Sequence, residues 1–551
     1  MKRRDFLRWG STGVALAPTS LAWLVRDAQA ASAASGTPWV FGVMADTQWS
    51  NKTDLANPGT CAVDIIKALN QRFIDAGARF VVQVGDLVDS ETWTHPTTRA
   101  AERTLPYRAA AAQALYDAGI GFFPVRGNHE ASATAAAELR TLFPQTRGAG
   151  AALWNVDRVL PSSIASLEGL SYAVDIGNVR IVLIDQFTRL DGSGSTNDNV
   201  LDQLGWVDTM LSSRASDQHA FVFAHKNLIG QNHADCLFGA SATSNAAGRN
   251  RFIASMQANK VGLCVGGHDH MHHRSLVRSP DGTAATPQLI CSSNSYKFYI
   301  PKNPPNNTTA RESVVAQELF TIGYYLFKVD GPCVTVEFWS SSHGSDYGDI
   351  DLQFPPSQYR FFLRERFGCS LNGRRFDVAN GASYTAVSDS WNGTSAAILA
   401  GVNADRSDDQ DYDGREEIKT VQTGWKARPA GAASAVLRLW GLNDNLDLFD
   451  ASLNGQLPAS TGPQSGDVYV LSLSYDASTV RPSALRTGSF CLQARADGGQ
   501  WTNAVDLNTG GTKRFIYGPW RAGYGLGSYG VDPASHTVWA VIDRDGEFVA
   551  L

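Results

Sequence analysis

The chain has 551 residues, 43 % hydrophobic and 18 % charged, with 47 basic against 53 acidic side chains and a net charge of -6. This is the composition of a globular protein of roughly two to four domains, and it excludes a disordered chain. Past the first residues there is no basic block that could grip duplex nucleic acid by displacing counterions. Nor is there an apolar run of about 20 residues that could span a bilayer.

The first residues read Lys2-Arg3-Arg4-Asp5-Phe6-Leu7-Arg8, followed by a mildly apolar run over 9–25 and then Ala28-Gln29-Ala30. A basic start, an apolar middle and an A-x-A end make an export signal. The Arg pair followed by Phe6 and Leu7 resembles a bacterial twin-arginine signal. Residues 1–30 are therefore expected to engage the Tat export machinery and to be removed. The expected product is a periplasmic or extracellular protein, more acidic than the whole chain and without a transmembrane anchor. Seven widely spaced cysteines with no C-x-x-C argue against a dense disulfide framework. One bridge among Cys236, Cys264, Cys291 and Cys333 stays open.

From 39 to about 342 strand and helix patterns alternate. Residues 40–45 read as a buried strand. Ala62, Ile65, Ile66, Leu69 and Phe73 recur at helical spacing. Further strands are expected at 80–84, 121–125, 179–184, 221–224 and 262–265, with helices over 107–118, after 200, and over 252–261. Such alternation implies helices covering a largely parallel sheet. Beyond about 346 short β patterns alternate with Gly-, Asn- and Asp-rich turns, as in a β-rich sandwich.

Polar residues gather where these strands end. Asp46 and Gln48 follow the first strand, Gly85-Asp86-Leu87-Val88-Asp89 the second, and Arg126-Gly127-Asn128-His129-Glu130 the third. His225 follows the strand at 221–224, and Gly266-Gly267-His268-Asp269-His270 the strand at 262–265. The carboxyl ends of strands in an α/β sheet open onto a shared crevice. Asp, Asn and His converging there offer the oxygen and imidazole donors that divalent ions take. The glycines let the backbone turn sharply beside them.

In the order D-x-Q, G-D-x-x-D, G-N-H-E, H and G-H-x-H, these motifs resemble the calcineurin-like metallophosphoesterase superfamily. The resemblance covers roughly 38–342 and implies a four-layer α/β/β/α sandwich domain over 38–345, followed by a β-rich, sandwich-like accessory domain over 346–551. It implies two divalent metal ions (Mn, Fe or Zn). Asp86 would bridge them, Asp46, Gln48 and His270 completing one site and Asn128, His225 and His268 the other. It further implies direct attack of a metal-bridging hydroxide on a phosphomonoester or phosphodiester. His129 would serve as proton donor or transition-state stabiliser, its ring held and polarised by Asp89. The partner would be a small phosphate ester.

Gln48 departs from the family pattern, which commonly has His there. An amide oxygen still ligates, but as a weaker, harder donor, which biases that site toward Mn or Fe over Zn. Arg126 and Lys226 could hold a phosphate oxygen, and Trp49 could line the lip of the crevice. His233 and the other histidines outside the motifs read as structural. Asp409-Gln410-Asp411-Tyr412-Asp413-Gly414 begins like a calcium loop, but Thr420 stands where Glu is needed. The reading is an exported dinuclear-metal phosphoesterase. The alternative is a metal-bearing binding scaffold that acts through the β-rich domain.

Overall fold

The computed structural model describes residues 37–342 except 51–53, 149–153, 155, 196–198, 296, 300, 302–310 and 320. It further describes 356–371, 377–378, 386–388, 395–400, 422–426, 428–440 and 468–551, except 496–498 and 545. The expected signal segment (1–30) and the calcium-like turn (409–414) lie outside the described residues. Among the described residues no helix is long and apolar enough to cross a membrane.

The elements that build the site come first. They are β1 (Trp39–Met44), α1 (Val63–Asp75), β2 (Ala78–Val84), β3 (Thr92–Thr94), β4 (Ala101–Arg103), α2 (Leu105–Ala111), α3 (Gln113–Asp117) and β5 (Gly121–Val125). Next are α4 (Ala133–Leu142), β6 (Arg158–Pro161), β7 (Tyr172–Ile176), β8 (Val179–Ile184), α5 (Leu204–Ser212), β9 (His219–Ala224), α6 (Ala246–Ala258) and β10 (Leu263–Gly266). The domain closes with β11 (His272–Arg278), β12 (Ala285–Ile290), β13 (Glu312–Glu318), β14 (Thr321–Asp330), β15 (Cys333–Ser342) and β16 (Phe362–Ser370).

Two mixed sheets result among the described residues, in the orders β16-β15-β14-β1-β2-β5 and β13-β11-β12-β10-β9-β8-β7-β6. The central pairs β1–β2, β2–β5, β8–β9, β9–β10 and β10–β12 are parallel, so their carboxyl ends point the same way within each sheet. Side chains alternate across each strand. Phe41, Val43, Phe80 and Val82 of one sheet share a core with Phe221, Phe223, Leu183 and Val265 of the other. The opposite faces receive helices. Ile66, Leu69 and Phe73 of α1 pack with Val81 and Phe122. Val207 and Leu211 of α5 and Phe252 and Met256 of α6 pack with Val182 and Val222. Gly42 allows the first contact, since a Cβ there would sit 2.3 Å from the Phe73 ring.

Three expectations change. The helix expected over 107–118 is two helices, because the Asn70 amide of α1 takes the Ala111 carbonyl at 2.8 Å and Leu115 N bonds Ala112 O instead. The boundary expected at 345 falls too early: β16 pairs antiparallel with β15 and extends the first sheet to Ser370. None of the four cysteines left open forms a bridge; all seven cysteines are buried and none is in a disulfide. Cys264 and Cys291 belong to cores on opposite sides of their sheet.

The C-terminal region is β-rich. It comprises β17 (Asp377–Val378), β18 (Ala386–Ser388), β19 (Ser395–Ala400), β20 (Gln422–Lys426), β21 (Val436–Trp440), β22 (Val468–Ser474) and α7 (Pro482–Thr487). It continues with β23 (Leu492–Arg495), β24 (Thr502–Asn503), β25 (Arg514–Tyr517), β26 (Ser528–Asp532), β27 (Thr537–Ile542) and β28 (Gly546–Ala550). One sheet runs β17-β18-β19-β22-β27-β26-β25 and the other β20-β21-β28-β23-β24. Leu471 and Val538 of the first and Leu492 and Phe548 of the second share one core.

Candidate active site

Five strand ends supply the polar residues. Asp46 and Gln48 follow β1, Asp86 follows β2, Asn128 follows β5, His225 follows β9, and His268 and His270 follow β10. Asp46, Asp86, His268 and His270 have φ of 52°, 46°, 72° and 55°, a left-handed backbone that L-residues seldom adopt. Described non-glycine residues with positive φ number nine, so four of them fall at this crevice. Glycine makes the approach possible at two places. Gly85 has φ +80°, and a Cβ on it would lie 2.2 Å from His225 Nδ1. A Cβ on Gly127 would lie 1.9 Å from Asp86 Oδ1.

Two donor groups form, Asp86–His225–His268 and Asp46–Asp86–His270, each with its ligand atoms within 4.8 Å of one another. Asp86 belongs to both. His225 Nε2 is 3.2 Å from Asp86 Oδ1 and 3.0 Å from Asn128 Oδ1. His270 Nε2 is 3.4 Å from Asp46 Oδ1 and 3.2 Å from Gln48 Nε2. His225 Nδ1–H donates to Val84 O and His270 Nδ1–H to Lys297 O, both at 3.0 Å, which leaves each Nε2 facing inward. His268 Nε2 is held instead by Asp235 Oδ1 at 3.3 Å. An oxygen acceptor on the far nitrogen is how metal-binding imidazoles are oriented.

The donor set fits divalent cations. Asp46 Oδ2 and Gln48 Oε1 are buried and lack a hydrogen-bond partner. A buried acceptor left so is costly unless a cation answers it. Burial raises the Asp46 carboxyl well above its ordinary value, the neighbouring Asp86 charge adding to this while His225 opposes it. Burial would raise Asp86 too, but His225 and His129 draw it well below the usual range. Burial disfavours a charged His225, yet Asp86 overrides it and lifts the imidazole to about 9. His270, also buried, is pushed down to about 3.

His129 sits at the rim with 24 % of its side chain exposed. Its Nδ1–H donates to the main-chain carbonyl of Asp89 at 2.7 Å, and its Nε2 lies 3.8 Å from Asp86 Oδ2. The expectation that the Asp89 carboxylate holds this ring needs correction. That carboxylate is 3.7 Å from His129 Nδ1 and is bound to Lys297 Nζ at 2.6 Å. Glu130 ties two motif loops together, accepting from Val88 N at 2.9 Å and Gly127 N at 3.0 Å.

Arg126 does not hold a phosphate oxygen. It is fully buried, pairs bidentately with Asp185 at 2.7 Å, and donates to Glu130 O, Ser132 O and Thr188 O. A guanidinium has five N–H donors and all five are used. Lys226 is buried beside His225 and bonds Asp235 Oδ2 at 2.6 Å. Trp49 is half-buried and packs against the core beneath α1. His272 and His273, in β11, are buried in hydrogen bonds to Tyr325 Oη and to Glu312 and Gln317.

Sequence reasoning missed Asp235, Lys297 and Tyr299, and it set His233 aside. The His233 ring stacks on His268 at 4.1 Å, and Tyr299 meets the rings of His233 and His270 at 4.9 Å each. Asp269, between the two motif histidines, accepts from Gln231 N, Asn232 N, and His233 N and Nδ1, which fixes that loop over the site. Position x of G-H-x-H was the available signal, since a buried carboxylate there must collect donors.

Residues 40–272 match the family model for calcineurin-like phosphoesterase, so the chain contains a calcineurin-like phosphoesterase domain. No curated protein sequence matches the chain. Solved structures similar to it include a purple acid phosphatase, PPD1, from yellow lupin (Lupinus luteus) seeds, at 13 % identity and TM-score 0.35, covering 61 % of this chain and 54 % of that one. The chain thus spans about half the length of the lupin protein. PhoD is similar at 12 % identity and TM-score 0.42, over 69 % of this chain and 75 % of that one. A dimetal phosphatase from Danio rerio is similar at 15 % identity and TM-score 0.32, over 54 % and 95 %.

Proposed function

We propose that this chain is an exported dinuclear-metal phosphoesterase acting on small phosphomonoesters or phosphodiesters. The observation that carries the reading is Asp86, shared by two buried donor groups beside the orphaned Asp46 Oδ2 and Gln48 Oε1. Asp46, Gln48, Asp86 and His270 would hold one cation, and Asp86, Asn128, His225 and His268 the other. When bound, the pair lowers the pKa of water and neutralises charge on the ester. The separate cores between the sheets and on their outer faces support an α/β/β/α layering for this domain. Export rests on the signal-like residues 2–30.

His129 is the proton carrier. Its Nδ1–H is committed to the Asp89 carbonyl, so Nε2 is the atom that can deliver a proton to the leaving oxygen as its bond to phosphorus breaks. Lys226 and Lys297, each paired to an Asp, set positive charge at two edges of the crevice. The scaffold alternative draws its weight from Gln48, the departure from the family pattern; the Gln48 side chain lies against Asp86 and His270, which supports the enzyme reading.

The test combines metal analysis with hydrolysis of p-nitrophenyl phosphate and bis-p-nitrophenyl phosphate in Mn²⁺. Wild type should bind two equivalents and hydrolyse at least one ester. Asp86→Asn should lose both properties. His129→Ala should keep the metal and lose roughly 10²–10⁴-fold in kcat. A protein carrying two equivalents that hydrolyses neither ester nor any nucleotide would falsify the reading.

A further inference from the structure

The segment that follows β12 lies beyond the family-matched residues, yet it touches three parts of the site. Asn294 donates from N to Asp46 O at 3.2 Å and from Nδ2 to Ala45 O at 3.0 Å, bracing the left-handed backbone at Asp46. Lys297 O accepts from His270 Nδ1 at 3.0 Å and from Ser293 Oγ at 2.7 Å. Lys297 Nζ donates to Asp89 Oδ1 at 2.6 Å, and the side chains of this pair are only 19 % and 14 % exposed. Asp89 in turn offers its main-chain carbonyl to His129 Nδ1 at 2.7 Å. One residue thus touches a candidate metal ligand through its carbonyl and the proton carrier's support through its ammonium.

The Asp89 carboxylate is a competitor for His129. Its Oδ1 stands 3.7 Å from His129 Nδ1, one small side-chain rotation from a direct charged hydrogen bond. Such a bond is stronger than one to a carbonyl and would draw the ring toward Asp89. The Lys297 ammonium binds this same oxygen at 2.6 Å.

We propose that Lys297 is a positioning residue that withholds the Asp89 carboxylate from His129, so that the ring hangs from the Asp89 carbonyl with Nε2 set over the crevice. The inference rests on the phosphoesterase reading for its catalytic consequence, though not for its structural content. It has a distinctive corollary: the Asp89 carboxylate is harmful once Lys297 is gone. Lys297→Met should damage the enzyme, Asp89→Asn should be mild, and the double variant should be better than Lys297→Met alone.

The experiment uses the full-length, zinc-loaded, diamagnetic protein and two readouts. The first is the side-chain NMR of ¹⁵N-histidine-labelled protein, assigned with His129→Gln. In Lys297→Met the His129 Nδ1–H resonance should move downfield as its acceptor changes from carbonyl to carboxylate, and in the double variant it should return. The second is steady-state hydrolysis of p-nitrophenyl phosphate. Lys297→Met should retain both metals and KM and lose about 10–100-fold in kcat, the size of effect that a misplaced catalytic group produces. Lys297→Arg and the double variant should each restore most of that rate. If Lys297→Met does not fold, Lys297→Gln carries the same comparison. An unmoved resonance, an unchanged kcat, metal loss, or a double variant no better than the single one would overturn the proposal. If wild type hydrolyses neither ester nor any nucleotide with zinc or with Mn²⁺, the phosphoesterase reading falls, while the NMR comparison still decides the role of Lys297.

Discussion

Gln48 and Asp86 meet through a 3.0 Å hydrogen bond in which the amide Nε2 donates to Asp86 Oδ2, while the Gln48 Oε1 is buried without a partner. The amide thus turns its Nε2 toward Asp86 and His270, and a half-turn about its last bond would bring Oε1 there as a ligand instead. Replacing it by imidazole exchanges a weak neutral oxygen donor for a nitrogen that zinc prefers. Gln48→His should tighten zinc binding at the Asp46–His270 site by about tenfold, read by competition with a chromophoric chelator. Unchanged affinity would mean that Gln48 braces Asp86 without ligating.

Metal removal should weaken the fold. Buried Asp46 and Asp86 lie close together, and a bound cation relieves their repulsion. Mn²⁺ at 100 times its Kd should add about 2.7 kcal/mol to stability, seen as a rise in Tm that a chelator reverses. Asp86→Asn should abolish the rise. A Tm indifferent to metal in the wild type would count against a cation site.

Arg126 and Asp185 form a fully buried bidentate pair. Arg126→Ala leaves the Asp185 carboxylate buried and unpaired, which should cost about 3–5 kcal/mol in urea unfolding. A loss of only ~0–1 kcal/mol, typical of an exposed pair, would show that the pair does not anchor the β5 loop.

His219 gives the acid limb of the stability profile a specific origin. It is buried in β9, bonds Gly331 O at 3.0 Å, and burial lowers it from 6.5 to about 4. Between those values the unfolded chain takes up a proton that the folded protein refuses. Its stabilising contribution is therefore present above pH 6.5 and is lost as pH falls toward 4, amounting to roughly 3 kcal/mol at most. His219→Gln keeps a donor for Gly331 O and should flatten that limb. An equally steep limb in the variant would place the acid sensitivity elsewhere.

The residues legible in the sequence are those tied to strand ends. Asp46, Asp86, Asn128, His225 and His268 each fall within about three residues of a strand whose apolar run is unmistakable, so pattern and position agreed. The layout of the two sheets was less legible, because β16 joins as an edge strand from a distance and edge strands carry weak alternation. Lys297, Asp235 and Tyr299 could not be read at all. They lie on loops whose course is set by tertiary hydrogen bonds, such as those that Asp269 and Asn294 make, and no local pattern encodes these. Arg126 misled for the opposite reason: its place beside a motif suggested an anion, whereas its partner, Asp185, is distant in sequence.

The left-handed backbone at Asp46, Asp86, His268 and His270 has a consequence for the molecule as a whole. Each such residue carries on the order of 1 kcal/mol of conformational penalty, and the four together weigh heavily against a typical net stability of about 5–15 kcal/mol. The crevice is an upward-sloping part of the folding landscape, whose penalty the paired sheets and their helices must offset. Random drift that loosens those distant layers should therefore surface first as a relaxed, poorly formed crevice, long before the chain as a whole comes apart.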